Sequence, residues 1–433
     1  MNAQSLSMVF LVVSVAAAQS PPKQPNIILI MADDIGFECL GAYGSRQYRT
    51  PHLDRLASEG LRFQHCYSQP LCTPSRVKLM TGLSNVRNYA AFSILRSDQR
   101  TIGHLFQKAG YATAVAGKWQ LLGAVHYDKR FRGKGTRPRA AGFDSHCLWQ
   151  VDQLGKRYWN PLLHINGTNK QFKRNDYGPA IATDFIIEFM TAQAKAGKPF
   201  FAYYPMILPH NPFLPTPLSS KRESRNKQRN FEDMVTYIDH LVGRIVAATK
   251  KLKIDGNTLV LFCGDNGTNK AIRSRLGDDI IQGGKALPTD AGTRVPMIAS
   301  WPGVVPVGKT LNDLIDFSDF LPTCLEASGI KVPEGLDGQS FWPQLQGKRG
   351  SPRESIFCYY CPRPEKTAPI RFARNRRFKL YGNGRFFDVH KDILEQHPLT
   401  DLQGLTTARS ARDRLQKTLD AMPSVGQALL KFK

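Results

Sequence analysis

Beyond its first twenty residues the chain has no apolar run long enough to cross a bilayer, so no transmembrane helix is expected there. Acidic residues are scarce: 35 Asp and Glu stand against 59 Lys and Arg, a formal net charge of +24. A field of that sign attracts polyanions, whether nucleic acid, anionic membrane or sulfated polysaccharide. No zinc-knuckle, RNP-like or helix-turn-helix pattern accompanies the charge, which makes nucleic acid the weakest of the three. No internal repeat and no long linker interrupt the chain, which speaks against a repeat architecture. Cysteine is sparse, with eight residues at 39, 66, 72, 147, 263, 324, 358 and 361. Cys358 and Cys361 have C-x-x-C spacing, but no second pair or nearby His completes a zinc site. They read as a local disulfide or two half-buried thiols. Setting Cys72 aside leaves an odd number, so at least one other is free or paired between chains.

What is present fits a folded, exported protein. A chain of 433 residues can bury a substantial core, and 42% hydrophobic with 22% charged residues excludes a disordered chain. Met8 to Ala18 is an apolar segment with small residues toward its end, followed by Gln19-Ser20-Pro21-Pro22. It reads as the core of a signal peptide over residues 1–19, although its leading residues carry no Lys or Arg. The expected location is therefore secreted or periplasmic, or lysosomal in a eukaryote.

Strand and helix signals alternate in the manner of an α/β fold. Asn26 to Ala32 is a continuous apolar run, expected as a strand buried on both faces of a parallel sheet. Further strands are expected at Tyr111–Ala116, Pro199–Met206, Thr258–Cys263 and Val295–Trp301. Helices are expected at Leu53–Glu59, Thr101–Lys108, Ala180–Ala196, Phe231–Leu252 and Leu311–Ser328. In Phe231–Leu252 the apolar residues recur at helical spacing, which marks a core-facing stripe. After Gly338 the texture changes. Short runs at Ser355–Tyr360, Arg371–Ala373, Phe378–Tyr381 and Arg385–Val389 read as a small antiparallel sheet, followed by a helix at about Ser410–Ala421. The expected division is a main α/β domain over 20–338 and a smaller α+β subdomain over 339–433.

The most informative stretch is Cys72-Thr73-Pro74-Ser75-Arg76-Val77-Lys78-Leu79-Met80-Thr81-Gly82. Proline two residues past the cysteine fixes φ and removes a donor, which suggests that Cys72 sits on an exposed turn. Arg76 lies one helical turn on, where its guanidinium can face oxygens derived from the cysteine. Other chemical groups stand just after expected strands: Asp33-Asp34, Lys118, His210 and Asp265-Asn266. Ligand sites of open α/β sheets lie beyond the carboxyl ends of strands, so these groups are expected to converge on one crevice. Asp33, Asp34, Asp265 and Asn266 form an all-oxygen set, which selects Ca²⁺ or Mg²⁺ over zinc or copper. A thiolate at Cys72 suits such a site poorly, whereas an oxygen-bearing derivative suits it well. The blander alternative is that these residues are helix caps and turns.

The Cys72 segment resembles the signature of the sulfatase family, C-x-P-S-R followed by x-x-L-x-T-G, matching seven positions across eleven residues. The resemblance runs over roughly residues 24–400. It includes Thr50 to Ala57, Gly117-Lys118-Trp119, Leu208-Pro209-His210, Cys263 to Gly267, and Gly284-Lys285 before Gly292 to Pro296. It implies an alkaline-phosphatase-like fold: a large mixed, mostly parallel sheet flanked by helices, with a smaller C-terminal antiparallel sheet and helix. It also implies a sulfuric ester hydrolase in which Cys72 is oxidised to formylglycine by a formylglycine-generating enzyme. Asp33, Asp34, Asp265 and Asn266, with the formylglycine at 72, would hold a divalent cation, most often calcium. Arg76 and Lys118 would steady the formylglycine, Lys118 and Lys285 would bind sulfate, and His210 would help protonate the leaving group. The implied reaction is transesterification by the hydrated aldehyde, with His210 or Lys285 as proton donor. The substrate would be a sulfate ester, with the net charge pointing to anionic carbohydrate.

One position departs from the family pattern. Gln120 stands where the family usually has a histidine after Gly117-Lys118-Trp119. An amide can donate or accept a hydrogen bond but is no base near neutral pH. Slow turnover, compensation by another residue and an altered substrate class are each compatible with it. Two alternatives to a sulfatase follow: a phosphonate or phosphate monoester hydrolase of the wider superfamily, and a catalytically impaired binder of sulfated glycans. Two basic runs, Lys129 to Arg139 and Lys221 to Arg229, read equally well as solvated loops or as substrate contacts.

Overall fold

The computed structural model describes residues 24–123, 129–364 and 366–428. The expected signal segment at 1–19 lies outside the described residues. Strand β1 (Asn26–Ala32) is buried along its whole length. Its alternating side chains enter two cores: Ile28 and Ile30 on one face, Ile27, Leu29 and Met31 on the other. Period-two alternation at a site covered on both faces requires an unbroken apolar run, and that is what the sequence supplies.

β1 lies inside a ten-stranded sheet. The other strands are β2 (Leu61–Tyr67), β3 (Ala112–Lys118), β4 (Ser145–Trp149), β5 (Leu162–Ile165), β6 (Thr168–Gln171), β7 (Phe200–Pro205), β8 (Thr258–Gly264), β11 (Arg294–Ser300) and β12 (Lys309–Asp316). A separate hairpin, β9 (Arg273–Leu276) and β10 (Asp279–Gln282), precedes β11 in the chain. The spatial order is β12-β2-β11-β8-β1-β7-β3-β4-β5-β6. The centre is parallel, with β1 between β7 and β8 and β3 beyond β7; β11, β5 and β6 run antiparallel to their neighbours. This is the expected large mixed, mostly parallel sheet.

Helices cover both faces. On one face lie α1 (Pro51–Ser58), α4 (Gly178–Lys195) and α5 (Lys227–Lys251); on the other lie α2 (Cys72–Thr81), α3 (Ile102–Lys108) and α6 (Phe320–Ala327). In α5, Phe231, Met234, Val235, Ile238, Leu241, Val242 and Ile245 are all buried, which makes the expected stripe its inner face. α3 begins at Thr101, whose hydroxyl accepts from His104 N in a capping box, and Gly110 follows its end with φ of 85°.

The span expected as one helix at Leu311–Ser328 is two elements. Its first part belongs to β12, which pairs in parallel with β2, Leu311 opposite Phe63 and Ile315 opposite Cys66. Asp316 then starts a new element, accepting from Ser318 N while the Asp319 side chain accepts from Asp316 N. Apolar residues placed to fit helical spacing also fit an edge strand, and the capping aspartates mark the break. The C-terminal sheet matches its expectation: β13 (Ile356–Tyr360), β14 (Ile370–Arg374), β15 (Phe378–Tyr381) and β16 (Phe386–Asp388) form an antiparallel meander. Helix α7 (Thr406–Asp420) packs Ala408, Ala411, Leu415 and Leu419 against it.

All eight cysteines are buried, and none forms a disulfide among the described residues. Cys358 and Cys361 are therefore fully buried thiols, not the half-buried pair or local disulfide that their spacing suggested. No helix among the described residues is long and apolar enough to cross a membrane.

Candidate active site

Cys72 opens α2 and is 1% exposed, so it does not lie on the exposed turn suggested by Pro74. The proline falls within the first helical turn, where backbone N–H groups have no intrahelical partner and a missing donor costs nothing. Every residue of α2 is buried, and the helix stops at Gly82 in the left-handed region with φ of 67°.

The residues that follow the strand ends converge beside this helix. Asp33 and Asp34 leave β1; Asp34 takes a left-handed φ of 70°, and its N–H donates to Asp265 Oδ1 at 3.0 Å. Asp265 follows β8 and donates its own N–H to Ala32 O at 2.9 Å. Lys118 closes β3 and donates to both Asp33 oxygens at 3.0 and 2.8 Å. Gly117 before it has φ of 114°, and a Cβ there would meet Pro205 O at 2.0 Å, so only glycine lets this strand end lie against β7. Arg76 donates from Nη1 to Lys118 O at 2.8 Å and from Nη2 to Asp265 Oδ2 at 3.2 Å.

Lys285 lies 2.6 Å from Asp34 Oδ2, on a loop pinned by Lys285 N to Thr268 O and Ala286 N to Pro70 O. Asn266 donates to Asp34 Oδ1 at 2.9 Å, and His210 Nε2 stands 3.8 Å from Asp34 Oδ2. The Cys72 thiol donates to Gln120 Oε1 at 3.2 Å. All nine residues singled out from the sequence thus share one crevice.

Burial and charge together set the protonation states. Burial alone would raise Asp33 and Asp34. The nearby Lys118, Lys285 and His210 outweigh it and hold both below the usual carboxylate range. Burial, and then the Asp33 charge, pushes Asp265 up to about 8. Burial brings His210 down to about 4, so the ring is neutral near pH 7. Burial likewise raises the Cys72 thiol, which makes an unmodified cysteine a poor nucleophile here.

The donor set fits a hard cation. Ligand atoms of Asp33, Cys72 and Asp265 lie within 4.8 Å of one another, as do those of Asp33, Asp34 and His210. Asn266 Oδ1 is buried without a hydrogen-bond partner among the described residues, as an oxygen waiting for a cation would be.

Sequence reasoning missed Arg157. Its Nη1 lies 2.9 Å from His210 Nδ1 and its guanidinium 3.9 Å over the Trp149 ring. Asn211 O is also 2.7 Å from Nδ1, which can accept from Arg157 or donate to that carbonyl but not both. Arg157 sits in an irregular loop with no motif around it, so nothing in the sequence tied it to a histidine 53 positions away. Of the two basic runs, Lys129 to Arg139 exposes all six of its basic side chains. That run is fastened beside the Lys118 segment: Trp119 Nε1 donates to Thr136 O at 2.8 Å, and Thr136 N to Leu121 O at 3.1 Å.

The chain is similar to known proteins over most of its length. A family model described as Sulfatase matches residues 25–330, and one described as N-sulphoglucosamine sulphohydrolase, C-terminal, matches 285–422. Arylsulfatase A of Bos taurus is 31% identical over 412 residues, covering 88% of this chain and 79% of its own length. The ulvan-active sulfatase of Formosa agariphila is 27% identical over 433 residues, covering 93% of this chain and 82% of its own. The crystal structure of Ps i-CgsB superposes with a TM-score of 0.73 at 26% identity, over 93% of this chain and 95% of that one.

Proposed function

The chain belongs to the sulfatase family of sulfuric ester hydrolases, and from that premise we propose an exported enzyme that cleaves sulfate esters of carbohydrate through a formylglycine at position 72. The observation that carries this reading is the position of Cys72. It lies at the start of a wholly buried helix, with its sulfur within 4.8 Å of carboxylate oxygens of Asp33 and Asp265 and with Lys118 bound to Asp33. The net charge of +24 and the ulvan-active relative favour an anionic polysaccharide as substrate. We assign the catalytic domain to 20–338 and the smaller subdomain to 339–433.

Asp33, Asp34, Asp265 and Asn266 would hold Ca²⁺ or Mg²⁺ together with the residue at 72. Cation and formylglycine supply a Lewis acid and a hydrated aldehyde as nucleophile, chemistry that a plain thiol lacks. The other residues do the positioning. Lys118 and Lys285 bring two ammonium groups to the place where the sulfate oxygens gather negative charge. Arg76, fixed by Lys118 O and Asp265, holds the start of α2 against the strand ends. When Arg157 donates to His210 Nδ1, the ring proton resides on Nε2, the nitrogen that faces Asp34 and the crevice. From there the neutral ring can hydrogen-bond the departing oxygen, while the Lys285 ammonium, the other candidate donor, supplies the proton.

The direct test is the mass of the tryptic peptide from Phe63 to Arg76 after expression with a formylglycine-generating enzyme. Conversion of thiol to aldehyde makes it lighter by about 18 Da, from the atoms exchanged. Full sulfatase activity in Cys72→Ala, or in protein with an unmodified Cys72, would refute the assignment.

A further inference from the structure

The crevice contains more positive charge than its carboxylates engage. Arg76, Lys118 and Lys285 each pair with an aspartate. Arg157 has no carboxylate partner among the described residues and is partly exposed. It is nonetheless held firmly: its guanidinium stacks on Trp149, and Nη1 rests on His210 Nδ1. The loop that carries it is pinned on both sides. Trp149 Nε1 donates to Gly155 O at 2.8 Å, Tyr158 OH donates to His210 O, and Trp159 Nε1 donates to Pro215 O at 2.8 Å. A preoriented, uncompensated guanidinium beside His210 is poorly explained by packing alone.

Residues flanking Arg157 in sequence (Lys156, Trp159 and Asn160) and the segment after His210 (Pro215 and Pro217) line a cavity of about 940 Å³. Its wall includes Lys156, Trp159, Arg174, Pro215 and Arg222, with Glu223 as its acidic residue. Lys156, Arg174 and Arg222 also lack a carboxylate partner among the described residues. Arg222 lies 5.3 Å over the Trp159 ring and donates to Pro217 O at 2.8 Å, which fixes its direction. A cavity of this size accommodates a short oligosaccharide, and its cations match the chemistry of an anionic one.

We propose that Arg157, with Lys156, Arg174 and Arg222 beyond it, forms a subsite for a second anionic group on the saccharide that carries the scissile sulfate. The enzyme then prefers multiply charged saccharides over singly sulfated ones. This inference rests on the sulfated-carbohydrate reading above and adds to it which part of the substrate is read, and where. Sulfate and carboxylate are equivalent to these cations in charge, although a guanidinium takes either in a bidentate manner.

The test uses the full-length, formylglycine-bearing enzyme and three matched saccharides: one singly sulfated, one with an added sulfate and one with a uronic carboxylate on the neighbouring sugar. The wild type is expected to show a kcat/KM ratio of about tenfold or more for one or both doubly charged substrates, the size of one good charge-assisted contact. Arg157→Ala and the triple change Lys156→Ala, Arg174→Ala, Arg222→Ala each bring that ratio toward one, the triple change chiefly through KM. A wild-type ratio near one, or a ratio that survives both variants, overturns the subsite. Binding of the same saccharides to Cys72→Ala protein gives a readout that needs no turnover. There the triple change should weaken the doubly charged ligands about tenfold and the singly charged one less. Equal weakening of all three overturns the subsite. Binding that follows this pattern without turnover of any sulfated saccharide sustains the subsite and overturns the carbohydrate-hydrolase reading instead.

Discussion

Replacing Lys285 with methionine separates catalysis from architecture in this site. The side chain places its ammonium 2.6 Å from Asp34 Oδ2 and keeps 15% exposure, so it is a charge at the edge of the crevice and not deep in the core. As one of two lysines expected on the sulfate oxygens, its loss should cut kcat/KM for a small aryl sulfate by about 10²–10³, the usual cost of removing one donor to developing negative charge. Removing one partner of a buried ion pair can cost about 3–5 kcal/mol. Asp34 retains the Asn266 amide at 2.9 Å, however, and Lys285 is not fully buried. We therefore expect about 1–3 kcal/mol of lost stability. Unfolding entropy scales with length, so in a chain of this size each kcal/mol shifts the melting temperature by about 1 °C, and the fall should be about 1–3 °C. Steady-state kinetics on the variant, paired with thermal unfolding by circular dichroism, measures both. A kcat/KM within tenfold of wild type would refute the assigned role of Lys285. A melting temperature lower by about 10 °C or more would show that the pair is mainly structural.

Chelation should abolish turnover, and Ca²⁺ or Mg²⁺ should restore it; elemental analysis that finds stoichiometric zinc without either ion contradicts the oxygen-ligand assignment. Neutralising three of Lys129, Arg130, Arg132, Lys134, Arg137 and Arg139 should weaken apparent affinity for a sulfated oligosaccharide more than for an aryl sulfate. That effect should fade with added salt, since exposed charges are screened over about 8 Å at physiological ionic strength; equal losses on both substrates point to a folding defect. If the amide at 120 limits release of sulfate, Gln120→His raises turnover and the parent enzyme shows an early burst of alcohol. No burst, together with an unchanged or slower variant, leaves Gln120 as a hydrogen-bond partner of residue 72 and nothing more.

The sequence made the centre of the molecule legible and its margins less so. β1 was read to the residue because a strand covered on both faces must be apolar throughout. The rule that sites lie beyond parallel strand ends is enough to gather Asp33, Lys118, His210 and Asp265 from the sequence alone. Edge elements were harder. β12 has one neighbour and a mixed surface, so its apolar spacing fitted a helix equally well until its pairing with β2 decided the matter. Cys72 was placed on an exposed turn because Pro74 breaks hydrogen bonding, yet the first turn of a helix tolerates that loss, and the family signature says nothing of depth. Arg157 was invisible for a different reason: its meaning comes from a contact across 53 residues that no local pattern encodes.

The depth of α2 also sets a timetable. Its inner residues Val77, Leu79 and Met80 share a core with Phe317, Phe320 and Leu321, while Lys78 reaches Asp316 and the Phe357 carbonyl. Partners that bury the helix therefore leave the ribosome long after Cys72 does, the last of them nearly 300 residues later. At a synthesis rate of about 5–20 residues per second, residue 72 stays accessible for roughly 15–60 s and is then enclosed. If Cys72 is converted as proposed, the modifying enzyme must act within that interval, before α2 is enclosed. The yield of active protein then depends on a race between oxidation and folding. Slowing the final closure, for example with a destabilised β13, should raise the modified fraction even as it lowers the stability of the product.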